Sequence, residues 1–144
     1  MKKILFFILA IGGVLAFSPE VFAASASVTA SSANANSYET YTVTVTIIDN
    51  AAREYEMDLF QNGVRVVVPV GTQSCTTVFN SDTGMFDCLA SWSRASITPQ
   101  NYVYSAKFRL VGEVVWIDAG NTVTVEVKDA TPPTFSSIAH SPLV

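Results

Sequence analysis

Apolar and polar positions alternate with a period of two along much of the chain. The clearest example is the stretch 38–50, Y-E-T-Y-T-V-T-V-T-I-I-D-N, in which threonines separate apolar residues. The apolar positions are Tyr41, Val43, Val45 and Ile47. Successive Cβ atoms of a strand leave opposite faces, so this pattern predicts a half-buried strand. A close repeat, T-V-T-V-E-V-K-D, occupies residues 122–129 and predicts a second long strand of the same sandwich.

Other stretches alternate in the same way. Tyr55, Met57 and Leu59 predict one inward face, and Tyr104, Ala106, Phe108 and Leu110 predict another. Asn62-Gly63 favours the positive φ angles of a type I′ turn, so a hairpin is expected there. Its return strand is predicted at 64–70, with Pro69 at an edge because proline cannot donate to a ladder.

The remaining segments carry weaker signals. Residues 27–30 are compatible with an edge strand, and residues 113–117 predict a short apolar strand that contains Trp116. Residues 89–101 have no regular pattern. No stretch after residue 24 has a convincing period of 3.6. The sequence therefore predicts an all-β, antiparallel, immunoglobulin-like β-sandwich of about seven to eight strands over residues 24–130.

The first 23 residues have the pattern of a secretory signal peptide. Lys2 and Lys3 precede an apolar run from residue 4 to 17, which is short for a membrane span. Val21-Phe22-Ala23 offers small residues at the positions that a signal peptidase needs. We therefore expect export to the cell surface or the medium, with no membrane insertion of the mature chain; an uncleaved anchor is the alternative.

Charge restricts the partners of the mature chain. Without Lys2, Lys3 and Glu20, the 8 basic and 12 acidic residues become 6 and 11, a net charge of −5. Nucleic acid requires a basic face, so a nucleic-acid partner is not expected. Anionic lipid is not expected either.

Cys75 and Cys88 are the two cysteines of the chain. In an oxidising compartment such a pair indicates a disulfide, and a zinc site is the weaker alternative because there is one distant histidine. If residue 79 faces residue 84 across a four-residue loop, Cys75 faces Cys88. The sequence therefore predicts a disulfide across a single hairpin.

The order of these strands resembles that of immunoglobulin-like modules in bacterial and archaeal surface proteins, including fibronectin type III-like and cell-adhesion-related domains. The resemblance is carried by Y-T-V-T-V-T-I-I-D-N, by the following Y-E-M-D-L-F-Q-N-G-V, and by the exit D-A-T-P-P-T at 129–134. It covers roughly residues 26–135. It implies a cell-surface or extracellular setting and no catalytic residues. A disulfide within one hairpin departs from the antibody type, which bridges the two sheets.

Residues 135–144 resemble the first strand of a following module. Three interpretations of the segment 131–144 are open: a tail or linker, an edge strand of this domain, or a strand donated to a neighbouring subunit by β-augmentation. Donation would allow self-assembly through these residues.

No catalytic set is evident, because His140 is the single histidine and lies in that last segment. We therefore expect no enzyme and no cofactor. Asp49, Asp118 and Asp129 stand at predicted strand ends, where oxygen ligands could hold Ca²⁺. A solvated acidic face with turn-forming aspartates is the favoured explanation, because no spaced acidic loop is present, so no metal site is predicted.

The aromatic residues Trp92, Tyr102 and Trp116, with Phe60 and Phe86, do not all fit inward positions. Exposed rings could stack on a glycan or anchor a protein partner, whereas large rings are more often core. Three functions remain open: a non-catalytic surface module that binds a protein in adhesion, a filament subunit that assembles by strand donation, and a carbohydrate-binding module.

Overall fold

The computed structural model describes residues 24–67 and 71–130. These residues form eleven strand segments and no helix. The segments are β1 (Ser25–Ala30), β2 (Asn34–Asn36), β3 (Thr40–Asp49), β4 (Glu54–Gln61), β5 (Val64–Arg65), β6 (Gln73–Thr76), β7 (Val78–Asn80), β8 (Met85–Ala95), β9 (Gln100–Leu110), β10 (Ile117–Asp118) and β11 (Val123–Lys128). Among the described residues, no helix is long and apolar enough to cross a membrane.

The strands form two sheets. One has the order β1-β3-β8-β7, and the other has the order β2-β11-β9-β4-β5, with β10 on β9 and β6 on β4. All pairs are antiparallel except β2 with β11. The chain changes sheet five times, between β1 and β2, β2 and β3, β3 and β4, β6 and β7, and β8 and β9. The changes after β1 and after β6 divide continuous stretches into short segments, so there are more segments than predicted, but the predicted all-β, two-layer architecture is confirmed.

The period-two alternation correctly identified the core. The four apolar residues of β3 are buried, and those of β4 and β9 face them from the other sheet. Tyr41 and Tyr104 meet across the two layers, and their hydroxyl oxygens are 2.6 Å apart. Because both polar tips satisfy each other, two large rings are buried without an unpaired hydroxyl.

The Asn62-Gly63 hairpin forms as predicted. Both residues have positive φ, 50° and 79°, and Gln61 pairs with Val64 around a two-residue loop. The return strand is shorter than expected, because β5 has two residues and only the bond from Val66 N to Leu59 O extends it. Residues 68–70, including Pro69, lie outside the described residues.

Three strand assignments need correction. β2 lies in a stretch for which no strand was predicted; it pairs with β11 in parallel. β8 extends through the irregular stretch after Leu89, because full pairing with β3 stabilises it despite its mixed composition. Residues 113–116 are not a strand, and only Ile117–Asp118 pairs with β9.

The disulfide between Cys75 and Cys88 is present, with the Cα atoms 6.0 Å apart. Its predicted position within one hairpin is wrong. β7 and β8 do form a hairpin with a four-residue loop, but Phe79 faces Phe86, so the register does not bring Cys75 opposite Cys88. Cys75 instead pairs with Tyr55 in the other sheet, and the chain changes sheet after it. The disulfide therefore bridges the two sheets.

Thr77 stabilises this change of sheet. Its hydroxyl accepts a hydrogen bond from Arg53 N at 2.8 Å and donates to Ala51 O at 2.9 Å, while its own N–H donates to Arg53 O at 2.9 Å. The residue is buried. Thr77 thus satisfies the polar backbone groups that the crossing leaves inside the molecule.

Candidate functional site

The connection between β9 and β10, taken together with the first residue of β10 as residues 111–117, exposes an unusual number of apolar side chains. We call it the 111–117 loop. Val114 and Val115 are 83% and 67% exposed, and Val111 and Ile117 are exposed beside them. Contiguous exposed apolar groups mark interaction surfaces more often than single ones do. This loop is therefore the strongest candidate for a contact surface in the described part of the chain.

Backbone hydrogen bonds give the 111–117 loop a defined shape. Val111 N donates to Glu54 O at 3.0 Å, and Glu113 N donates to Leu110 O at 3.0 Å. Gly112 between them has φ 91°, a conformation that side chains other than glycine rarely adopt. The first half of the loop is thus fixed to the start of β4.

Arg109 supports the second half of the loop from the outer face of its sheet. Its guanidinium lies 4.4 Å from the centre of the Trp116 ring. The same guanidinium bonds Glu56 through Nε at 2.7 Å and Nη2 at 2.6 Å. Because Glu56 holds the guanidinium in place, the cation–π contact keeps Trp116 half-buried while the neighbouring valines face solvent.

A shallow cavity of about 280 Å³ lies beneath this loop. It is lined by Leu110, Glu113, Val115 and Ile117. The lining is mainly aliphatic, with one carboxylate at its border. Such a surface fits an apolar side chain of a partner better than a sugar, because sugar hydroxyls need several polar groups.

A second concavity, of about 540 Å³, lies near the opposite end of β4. Its lining is Gln61, Asn62, Val64, Arg65, Val66, Val67, Arg94, Gln100 and Tyr102. Arg94 Nη2 donates to Gln61 Oε1 at 2.6 Å, and the same oxygen accepts from the Tyr104 hydroxyl at 3.3 Å. Arg65 is bonded to Asp58, which raises the pKa of its guanidinium. The arginines of this cleft are therefore engaged in bonds within the protein.

The three aromatic candidates do not share a surface. Trp92 is 1% exposed and lies in the core, where its indole N–H donates to Gly71 O at 3.3 Å. Tyr102 is buried and donates to Thr98 O at 3.0 Å, although it borders the larger cleft. Trp116 is the one that reaches the candidate surface. Stacking on a sugar requires an exposed ring face, and the buried ring of Trp92 does not provide one.

The aspartates do not form one cation cage. Asp49 is buried and accepts bonds from the Tyr55 hydroxyl at 2.7 Å and from Asn50 N at 2.6 Å. Asp118 is opposite Lys107 and 3.4 Å from its Nζ. Asp129 follows β11 beyond the pair Val127–Gln100, at the other end of β9. The described residues contain no group of three or more histidine, cysteine or acidic side chains placed to hold a metal.

The Asp49 network has an electrostatic consequence for Tyr55. Burial and the neighbouring carboxylate together raise the pKa of the Tyr55 hydroxyl, because ionisation would place a second negative charge beside Asp49. Arg53 Nη1 lies 3.6 Å from Asp49 Oδ2 and compensates the carboxylate. This network closes the end of the core near the β3–β4 connection. It contributes to the structure rather than to a binding surface.

The 111–117 loop had a signal in the sequence that strand reasoning missed. Val114 and Val115 are adjacent, so they cannot both face inward in a strand. The prediction of an apolar strand at 113–117 did not take into account that one of these two valines would have to face solvent. Gly112 and the sequence D-A-G-N at 118–121, which is typical of a turn, are consistent with an exposed connection instead.

Comparison with solved structures supports the fold. The chain is similar to a crystal structure of the CARDB domain of a Pyrococcus furiosus protein in complex with di-metal ions, with 10% identity and a TM-score of 0.56. The similarity covers 76% of this chain and 90% of that one. The fold is thus that of an immunoglobulin-like β module.

Two other structures resemble the chain more weakly. A solution structure of the same CARDB domain gives a TM-score of 0.48 at 11% identity, covering 72% of this chain and 93% of that one. The sporulation control protein of Bacillus subtilis gives 0.41 at 11% identity, covering 73% and 49%. No protein-family model and no curated protein matches the sequence.

Proposed function

We propose that this chain is a non-catalytic, exported, immunoglobulin-like module that binds a protein partner in adhesion at the cell surface, with the 111–117 loop as its contact. The observation that carries the proposal is the exposure of Val114 and Val115 on a loop of defined shape. Hydrophobic side chains on a preformed loop bind at low cost in conformational entropy. The signal-peptide pattern of residues 1–23 supports the location outside the cell.

The chemistry of the loop favours a protein over a glycan. Its exposed residues are aliphatic, and its one large ring is covered on one side by Arg109. A sugar partner would need exposed ring faces and several hydrogen-bonding groups. The burial of Trp92 removes one ring on which the glycan-binding alternative depends.

Intact cells of the source organism offer a direct test. We expect the labelled protein to bind these cells, and Val114→Asp/Val115→Asp to abolish binding because two carboxylates cannot be buried in an apolar contact. Val64→Asp is the matched control, since Val64 is 71% exposed on the hairpin near the other end of β4. Circular dichroism and thermal unfolding should be unchanged in both variants.

The identity of the receptor class follows from pretreating the cells. Protease treatment should abolish binding, and periodate oxidation of glycans should leave it intact. Binding that survives protease but not periodate would overturn the protein-partner proposal in favour of the glycan alternative. Equal binding by the native chain and the double aspartate variant would exclude the 111–117 loop as the contact.

A further inference from the structure

Most charged side chains of the described residues bond to one another. The ion pairs are Arg53 with Asp49, Arg65 with Asp58, Lys107 with Asp118, Arg109 with Glu56, and Lys128 with Glu126. The remaining basic residue of 24–67 and 71–130, Arg94, donates to Gln61 Oε1 in the cleft near the other end of β4. The basic groups of the domain are therefore engaged in bonds within the protein.

Two glutamates differ from these paired acids. The carboxylates of Glu54 and Glu113 are exposed, and within the described residues they form neither a hydrogen bond nor an ion pair. Glu113 belongs to the 111–117 loop and borders the cavity of about 280 Å³ beneath it. Glu54 begins β4, and its carbonyl accepts the bond from Val111 N that anchors the loop. Both carboxylates therefore lie at the surface that exposes the valines.

The strand register determines the side of the sheet on which the Glu54 side chain lies. The β4–β9 ladder includes the pair Glu56–Arg109, so Val111 is the residue opposite Glu54. Opposite residues of an antiparallel pair point to one face, with Cβ atoms about 5 Å apart. Glu54 thus lies beside the exposed Val111, on the outer face where Arg109 covers one side of the Trp116 ring.

The neighbouring cations do not compensate these two glutamates. Arg53 and Arg109 flank this surface, and each already faces a carboxylate of its own ion pair. Glu54 and Glu113 therefore leave an excess of two negative charges beside the exposed aliphatic side chains. A partner that covers this surface must supply positive charge, because an unpaired or like charge at an interface costs affinity.

We propose that the partner of the 111–117 loop is a cationic protein surface, on which lysine or arginine side chains surround an apolar centre. This inference rests on the proposed function, since it takes that loop as the contact. The apolar centre packs on Val114 and Val115, and the basic groups around it meet Glu54 and Glu113. Complementary charge at the rim of an interface raises the association rate and selects the partner. The two glutamates thus determine the specificity of the contact.

A second copy of this chain does not have this chemistry. The mature chain has six basic and eleven acidic residues, so two copies repel each other. To reach Glu54 and Glu113 of another copy, its basic side chains would have to leave the groups that they bond. An anionic lipid surface is disfavoured by the same two carboxylates. The charges therefore favour a different, basic protein.

The association rate of the labelled chain on intact cells of the source organism tests the role of the two glutamates. We expect Glu54→Gln/Glu113→Gln to slow association by about tenfold at low salt, because electrostatic steering is lost. Glu39→Gln/Glu126→Gln removes the same charge from exposed positions near the other end of the sandwich and is the matched control. It should associate at the native rate.

The variants of the loop distinguish a failure of this inference from a failure of the proposed function. If Val114→Asp/Val115→Asp abolishes cell binding while Glu54→Gln/Glu113→Gln associates at the native rate, the loop is the contact and the cationic partner is wrong. If the native chain and the double aspartate variant bind equally, the proposed contact itself is wrong.

A set of synthetic peptides provides a measurement that does not need the receptor. The peptides share a Val-Phe-Val centre, flanked on both sides by lysines, by serines or by glutamates. We expect the native chain to bind the lysine peptide up to about tenfold more tightly than the serine peptide, as two exposed ion pairs allow. The glutamate peptide should not bind.

The preference for the lysine peptide should be lost in Glu54→Gln/Glu113→Gln. It should also be lost at about 1 M salt, where charges are screened over about 3 Å. Equal binding of the lysine and serine peptides by the native chain, or no binding of the lysine peptide, would show that the proposal is wrong, whatever the result on cells.

Discussion

Cys75 and Cys88 join the two layers of the sandwich, with 6.0 Å between their Cα atoms. Cys75 is opposite Tyr55 in one sheet, and Cys88 is opposite Ile47 in the other. Both partners are fully buried. The disulfide therefore links the sheets next to the centre of the core, at the point where the chain passes from β6 to β7.

Removing the disulfide should lower the stability of the fold substantially. We expect Cys75→Ala/Cys88→Ala to lose about 3 kcal/mol of unfolding free energy, as the loop-closure model gives for a loop of this size. Urea unfolding monitored by fluorescence measures the change. Ser74→Ala/Leu89→Ala alters exposed neighbours of both cysteines and should have little effect. An unchanged midpoint in the double cysteine variant would contradict a stabilising role.

The buried tyrosines predict a loss of stability in alkaline solution. Burial and the hydroxyl of Tyr41 raise the pKa of Tyr104, and burial and Asp49 raise that of Tyr55. The unfolded chain releases these protons above about pH 10, while the folded chain retains them. The stabilising contribution is thus complete below about pH 10 and declines above it, by up to about 1.4 kcal/mol per pH unit for each tyrosine.

Urea unfolding at several values between about pH 8 and about pH 11 measures this slope. Tyr55→Phe/Tyr104→Phe should flatten it, although the variant is less stable at neutral pH because the hydrogen bonds of these hydroxyls to Asp49, Tyr41 and Gln61 are lost. Tyr38→Phe, at an exposed position, is the control. A slope that is the same in all three proteins would show that the buried hydroxyls are not its cause.

Local patterns determined the strands that the sequence could predict. Alternation located β3, β4, β9 and β11 because each has one buried face, which imposes a strict period of two. The Asn62-Gly63 turn was predictable because its backbone angles restrict the residue types. Both signals depend on residues next to each other in the chain.

The features that could not be predicted from the sequence depend on contacts between residues far apart in the chain. Nothing near Thr77 indicates that the chain changes sheet there, since the buried bonds to Arg53 and Ala51 come from a connection more than twenty residues away. The disulfide was therefore assigned to the right cysteines and the wrong strands. The inward position of Trp92 likewise follows from the register with Val43. The position of the 111–117 loop also depends on a long-range contact, the bond from Val111 N to Glu54 O, although the adjacent Val114 and Val115 were a local signal of exposure.

Gly63 should be intolerant of a side chain. Its φ of 79° lies in the left-handed region, where a Cβ costs about 1–2 kcal/mol. We expect Gly63→Ala to lower the unfolding free energy by about 1 kcal/mol in a denaturant titration. Gly71→Ala is the control, because among the described residues its Cβ would meet nothing nearer than Arg65 Nη2 at 4.0 Å and its φ is not positive. Equal effects of the two substitutions would argue against backbone strain as the cause.

The side chain of Asn121 protects the outer edge of β1. Its side-chain amide bonds both the N–H and the C=O of Val28, so it substitutes for a neighbouring strand along the outer side of β1. Asn121→Ala leaves those groups without their partner, and we expect a loss of about 1–3 kcal/mol. The substitution should also increase aggregation on storage, because the edge becomes a template for pairing. Hydrogen exchange at the Val28 amide, together with light scattering, measures both effects. Asn101→Ala, at an exposed position of β9, is the control. If the Val28 amide exchanges at the same rate in both variants, the Asn121 amide does not protect this edge.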